Sequence, residues 1–218
     1  MLYARCGLIR ALCGYVSGSI EITRKDNQDM ISKLFGRWGN VVKEPTILIC
    51  SIHDNEPFFK QDRAIYERHY RNINEYKAAS MSDFLKFING RIFDIVHIFV
   101  SIDPKGTIEG IWGIELFEHL SRSDVKLVIF ALGNSGESYR SFYPNARLKG
   151  INPMNVVMTL DRKGQCFPDF FKSLFDMMAS GDSMFKAWVK LAPQVSGQWH
   201  KDAPDTICDV QLKHLRFI

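Results

Sequence analysis

Thr46-Ile47-Leu48-Ile49-Cys50-Ser51-Ile52 is a continuous, mainly apolar run, entered from Pro45 and followed by the polar loop His53-Asp54-Asn55-Glu56. A strand with one face in water alternates polar and apolar residues. A run this short without alternation is what a strand buried on both faces requires, and parallel sheets bury both faces. Two further runs have the same character, residues 93–101 (FDIVHIFVS) and 126–132 (KLVIFAL), and residues 155–160 (NVVMTL) add another.

Between these runs the apolar spacing changes to the helical period. Residues 58–70 read as a helix with Phe58, Ile65, Tyr66 and Tyr70 on one face, and residues 73–78 as a short strand. Ser80 with Asp83 three positions on is a capping-box pattern, followed by Phe84, Leu85 and Ile88, with Gly90 as the stop. Residues 111–120 read as the next helix. Phe167, Phe170, Phe171, Leu174, Phe175 and Met178 form the clearest helical stripe. A shorter helix starts near Ser183, carries Met184, Ala187, Trp188 and Leu191, and stops before Pro193. Residues 206–212 alternate again, with Cys208, Val210 and Leu212 on one face. Strands alternating with helices predict an α/β fold: a three-layer α/β/α sandwich around a mostly parallel central sheet. The domain is assigned to residues 46–218. Residues 1–45 form an N-terminal extension of uncertain structure, in which 18–23 alternate like a strand, 26–35 read as a helix ending at Gly36, and 36–40 form a turn-rich joint.

With 218 residues, 46% hydrophobic and 24% charged, the chain has the balance of one ordinary globular core. The net charge of +4 is mild, and the basic residues are scattered; Arg5, Arg10, Arg24, Lys25, Lys33 and Arg37 are the nearest approach to a cluster. That footprint argues against nucleic acid as a partner. The five cysteines, Cys6, Cys13, Cys50, Cys166 and Cys208, are odd in number and lack CxxC spacing, so neither a disulfide framework nor a metal site is expected and no cofactor is implied. Reduced thiols and the absence of an apolar run of about 18–20 residues point to a cytoplasmic chain with no membrane span. Arg10 interrupts the only apolar stretch near the start, which reads as an ordinary N-terminus rather than a targeting segment.

In open α/β sheets ligands bind beyond the carboxyl ends of the strands. Four loops are thereby candidates: Ser51, His53, Asp54 and Glu56; Ser101, Asp103 and Lys105; Asn134, Ser135, Glu137 and Ser138; and Asp161, Arg162 and Lys163. The competing reading is that loops are polar in any fold. The loop Gly133-Asn134-Ser135-Gly136 could cradle an anion on its N–H groups, but it is neither a P-loop nor a GxSxG elbow. Candidate nucleophiles are Cys50, Cys166 and Ser135, and candidate bases His97 and His53. Against them, His97 sits in mid-strand as a core histidine would, and Cys50 sits in a buried strand where cysteine behaves as a small hydrophobe. Cys166 opens a helix, a position that lowers a thiol pKa, yet no histidine is near it in sequence. Asp54, Glu56 and Asp103, with Ser135 and Lys163, suggest a receiver-like phosphoacceptor, but Phe99 occupies the acceptor position.

Asp94-Ile95-Val96-His97-Ile98-Phe99 resembles the CHAT-domain pattern D-x-x-H-F-x-G-H-G. Leu127-Val128-Ile129-Phe130, followed by Asn134-Ser135-Gly136, resembles that family's L-V-x-L-x-A-C-x-S-G. Gly181 through Ser183 and then Ala187-Trp188 are similar to its closing helix. The resemblance spans residues 46 to about 217 and implies a caspase-like fold, with a role in bacterial signalling or defence. Ser101 stands where the family carries its catalytic histidine and Gly133 where it carries its cysteine; His97 matches an earlier, non-catalytic histidine. A cysteine peptidase needs a thiolate and a base. The expectation is therefore a catalytically degenerate CHAT-like module that binds a protein partner or a small-molecule ligand at the strand-end rim. The alternatives are a hydrolase with a relocated nucleophile and a receiver-like phosphoacceptor or nucleotide sensor. Trp38, Phe58, Phe59 and Trp199 are the aromatic residues expected to contribute to an exposed docking patch.

Overall fold

The structure, a computed structural model, describes residues 41–52, 58–134, 136–137, 139, 154–160, 166–192, 206–212 and 214–218. The chain divides into Met1–Arg37 and Trp38–Ile218, and every described residue belongs to the second unit. The sequence readings on residues 18–40 and on Trp199 lie outside the described residues.

The buried runs are strands: β2 (Ile47–Ile52), β4 (Ile95–Phe99), β7 (Leu127–Phe130) and β8 (Asn155–Thr159), every residue of each being buried. With β3 (Ile73–Ala78) and β9 (Thr206–Asp209) they form a six-stranded sheet of order β3-β2-β4-β7-β8-β9. The first five strands are parallel and β9 is antiparallel on the edge. The protein is thus mixed α/β with a mostly parallel sheet, as the uninterrupted apolar runs predict.

Side chains alternate across the strands, so each strand supplies two cores. Leu48, Cys50, Val96, Ile98, Val128, Phe130, Val156 and Met158 face helices α2 (Met81–Ile88) and α3 (Gly113–Arg122). Ile47, Ile49, Ile95, Phe99, Leu127, Ile129 and Val157 face α1 (Phe59–Glu67), α4 (Cys166–Ala179) and α5 (Met184–Leu191). Each large apolar side chain fully removed from water contributes about 1.5–3 kcal/mol. The chain runs β2-α1-β3 to one edge and returns through α2 to β4 on the other side of β2. The strand order therefore reverses between β2 and β4, the switch point at which open sheets leave a crevice.

Local chemistry sets the helix ends. The Ser80 hydroxyl accepts from the Asp83 N–H at 3.2 Å, and Asp83 reaches back to the Ala79 N–H, which confirms the start of α2. Ser183 caps α5 by accepting from the Lys186 N–H at 3.3 Å. After α4, Gly181 takes a φ of +100°, and the Gly181 and Asp182 N–H groups close back on the Met178 and Met177 carbonyls. Among the described residues no helix is long and apolar enough to cross a membrane.

Ahead of residue 46, β1 (Val41–Val42) pairs in parallel with β10 (Arg216–Phe217). Three expectations change. The helix expected from residue 111 starts at Gly113. Ile111–Trp112 is instead strand β6 of a hairpin with β5 (Thr107–Ile108), forced by positive φ at Glu109 and Gly110. The alternation over 206–212 ends as strand at Asp209, because Asn155 captures the next turn: its Oδ1 accepts from the Gln211 and Leu212 N–H groups and its Nδ2 donates to the Leu212 carbonyl. Phe59 is core rather than surface and Phe58 packs against the same core, while among the described residues the exposed aromatic side chain is Trp112 at 59%.

Candidate functional site

The strand-end rim is built where β4, β7 and β8 end. Past Phe99 the chain alternates buried Val100, exposed Ser101 and buried Ile102. Past Phe130 it runs through buried Ala131 to exposed Gly133 and buried Asn134. Ser101 and Gly133, the positions that resemblance matches to a histidine and a cysteine, therefore lie just beyond the ends of two hydrogen-bonded parallel strands. Gly133 is not held open by packing. Among the described residues, a Cβ there would meet only the Leu160 carbonyl oxygen, at the ordinary contact distance of 3.6 Å.

Asn134 ties the strand ends together. Its Oδ1 accepts from the Ile102 N–H at 2.8 Å, and its Nδ2 donates to the carbonyls of Leu132 and of Thr159, the latter at 3.0 Å. The Thr159 hydroxyl lies within hydrogen-bond distance of the Phe130 and Leu132 carbonyls, at 3.0 and 2.8 Å. Expected as a ligand contact, Asn134 instead directs its amide at the backbone of all three strand ends. It is a buried clip that sets the rim's shape.

Asp103 has a similar task. Its Oδ1 accepts from the Lys105 and Thr107 N–H groups at 2.8 and 2.9 Å, and its Oδ2 from the Thr107 hydroxyl at 2.7 Å. Those bonds hold its carboxyl below the usual aspartate value. The turn they organise presents the β5–β6 hairpin, whose Glu109 carboxylate accepts from the Met81 N–H at 2.9 Å and so caps α2. The exposed Trp112 is carried on this braced hairpin, a feature sequence reasoning missed. Its signal was the Glu109-Gly110 pair between two short apolar segments.

The nucleophile and base candidates separate. Cys50 pairs with Ile98 in the β2–β4 register and His97 with Ile49, so the thiol and the imidazole lie on opposite faces of the sheet. Cys50 is fully buried, and burial pushes its thiol up to about 12, the reverse of an activated thiolate. Cys208 is likewise raised by burial. Cys50 is therefore corrected from candidate nucleophile to core residue. Ser51 is also buried, on the α1 face.

His97 sits within the α1-side core. Its Nε2 lies 3.1 Å from Asp62 Oδ2 and its Nδ1 2.8 Å from the Tyr66 hydroxyl, and none of the three residues is more than 1% exposed. Phe99 and Phe171 pack on the ring at centroid distances of 5.0 and 5.3 Å. Burial, with the Asp62 charge second, raises the Tyr66 hydroxyl well above its ordinary value, so it stays protonated. This is a sealed polar cluster under α1 rather than a general base facing the crevice. Its Asp62 was legible only as a polar residue interrupting the stripe of α1.

Glu137 and Lys105 are exposed. His53, Asp54, Glu56, Ser135, Ser138, Asp161, Arg162 and Lys163 lie outside the described residues, as does the side chain of Cys166. The receiver-like reading needs three carboxylates about one point. Among the described residues no three His, Cys, Asp or Glu side chains converge, and Asp103 is engaged in its own turn. Away from the rim, a groove of about 400 Å³ separates α1 from α4, lined by Ala64, Ile65, Arg68, Asp169 and Lys172.

Compared with known protein families and with curated proteins, the chain matches no family model and no curated sequence.

Proposed function

We propose that the Trp38–Ile218 unit is a caspase-like, CHAT-type domain without a peptidase centre, acting as a binding module at the strand-end rim. One observation carries this reading: Ser101 and Gly133, the positions matched to the catalytic pair, are both exposed just past adjacent parallel strands, and neither bears an imidazole or a thiol. The mostly parallel sheet with helices on both faces is the scaffold such a domain needs. The rim is pre-organised by Asn134 and Asp103, and the hairpin that follows the Asp103 turn carries the exposed Trp112, a residue type enriched in binding hot spots. A protein partner fits that exposed anchor best, with a small ligand in the crevice as the second occupant. Signalling or defence in bacteria is the setting the resemblance suggests.

The resemblance is tested by rebuilding the pair. Gly133→Cys alone places a thiol on the rim, and Ser101→His with Gly133→Cys adds the base opposite it. If the alignment is right, the double variant's new thiol reacts with a neutral alkylating probe about tenfold or more faster at pH 6–7 than the single variant's, because a neighbouring imidazole favours the thiolate. Equal rates in the two variants would remove the caspase-like assignment. In the unsubstituted chain, the buried Cys50 should label only on unfolding; rapid labelling of Cys50 in the folded protein would overturn the non-peptidase reading.

A further inference from the structure

The groove between α1 and α4 is walled by one face of each helix. On the α1 side Gln61, Ala64, Ile65 and Arg68 recur at the helical spacing, and on α4 Pro168 and Asp169 are followed one turn later by Lys172. Ile65 and Pro168 are buried and, with the short Ala64 side chain, give the groove an apolar floor. Gln61, Arg68, Asp169 and Lys172 stand exposed around it. The volume of about 400 Å³ falls within the ~300–1,000 Å³ of small-molecule sites. Among the described residues, Gln61, Asp169 and Lys172 have no hydrogen-bond or ion-pair partner, so their polar groups are available to a ligand.

The two helices run the same way, since each returns from a strand of the parallel part of the sheet. Tyr66 packs on Phe175 with ring centroids 4.5 Å apart, and Arg68 and His69 both meet Asp176, at 3.5 and 2.6 Å. Lys172, one turn before Asp176, therefore falls at the Arg68 end of the groove, and Asp169, a turn earlier again, toward the Gln61 end. The groove is thus polarised along its length, with two cations at one end, a carboxylate and an amide at the other, and apolar surface between. Asp176 does not cancel the cationic end, because Arg68 shares it with His69 and a guanidinium keeps further N–H donors. An organic anion would turn its tail toward Asp169, and an organic cation would leave Arg68 and Lys172 unused. A linear molecule with a carboxylate at one end and an ammonium at the other uses both ends. The helical rise sets Asp169 and Lys172 about 4.5 Å apart along the axis and Gln61 and Arg68 about 10 Å apart, which brackets the separation of the two charges.

We propose that the α1–α4 groove binds a linear ω-amino carboxylate, with its carboxylate at Arg68 and Lys172, its methylene chain on Ala64, Ile65 and Pro168, and its ammonium at Asp169 and the Gln61 side-chain carbonyl. The site uses none of the residues that shape the strand-end rim, so it stands whether or not the rim binds a partner.

Titration of 6-aminohexanoate into the full, isotope-labelled chain, followed by amide NMR, tests this, with hexanoate and hexylamine as probes that carry one charge each. Binding should saturate with a Kd of roughly 1 mM or below, and the shifts should centre on the Ala64, Ile65, Asp169 and Lys172 amides. Each single-charge probe should bind about three- to fivefold more weakly, the scale of one exposed ion pair. The variants then cross. Lys172→Met should shrink the preference over hexylamine, and Asp169→Asn the preference over hexanoate, each leaving the other intact, a pattern that damage to the fold does not produce. Nα-Acetyl-lysine carries the same two charges on a lysine with a free carboxylate. Binding as tight as that of 6-aminohexanoate identifies the ligand as a lysine-terminated chain, and weaker binding identifies it as a free linear molecule. Absence of saturable binding, a single-charge probe that binds as tightly as 6-aminohexanoate, or a folded variant that keeps both preferences overturns the inference.

Discussion

Breaking the Asp62–His97 pair should destabilise the protein far more than replacing both members. The two side chains are fully buried and 3.1 Å apart, so each compensates a group that the core otherwise tolerates poorly. His97→Leu leaves the Asp62 carboxyl in the core without the imidazole. Asp62→Val leaves His97 with the Tyr66 hydroxyl but without the acid. Removing one partner of a buried pair typically costs about 3–5 kcal/mol, whereas replacing both by apolar groups of similar volume is often close to neutral. With a urea m-value of about 2 kcal/mol/M, each single variant should shift the unfolding midpoint down by about 1.5–2.5 M. The Asp62→Val/His97→Leu double variant should be more stable than either single one, a coupling of about 2 kcal/mol or more. The assay is equilibrium urea unfolding followed by far-UV circular dichroism on all four proteins. Additivity within about 0.5 kcal/mol, or single variants that each lose less than about 1 kcal/mol, would refute the claim that the pair acts as one buried unit.

Asn155 offers a second test of structure. It is fully buried and makes three side-chain bonds to the backbone of Gln211 and Leu212. Asn155→Ala should cost about 2–4 kcal/mol and lower Tm by about 5–15 °C in a unit of this size; a shift below about 2 °C would show that the turn after β9 closes without it. The Asp103 turn predicts a local pH response. A carboxyl held below its ordinary value of 3.8 stabilises the folded turn above that value and loses the contribution as pH falls through the lower, folded value. Hydrogen exchange at the Lys105 and Thr107 amides should therefore accelerate selectively, relative to the α2 amides, as pH drops below that range. Uniform behaviour of the two sets would show that the carboxylate does not hold the turn.

The mostly parallel sheet was written in the chain itself. Unalternating runs such as Ile47–Ile52 and Leu127–Phe130 can be satisfied only by burial on both faces, which needs no knowledge of neighbours. Ser80 and Ser183 marked helix starts for an equally local reason, since a cap bond spans three residues. The strand-end rim was also legible as a place, because where strands stop is a local property. What each rim residue does there was not. Asn134 and Asp103 are the polar residues a binding site would use, yet their bonds run to backbone groups, in the case of Asn134 to strand ends far along the chain. Only the register of β2 against β4 put Cys50 and His97 on opposite faces, and only the packing of α1 onto that sheet brought Asp62 and Tyr66 to His97. Periodicity depends on neighbours a few residues away and so survives in sequence; register and contact join residues tens of positions apart, and the folded chain alone decides them.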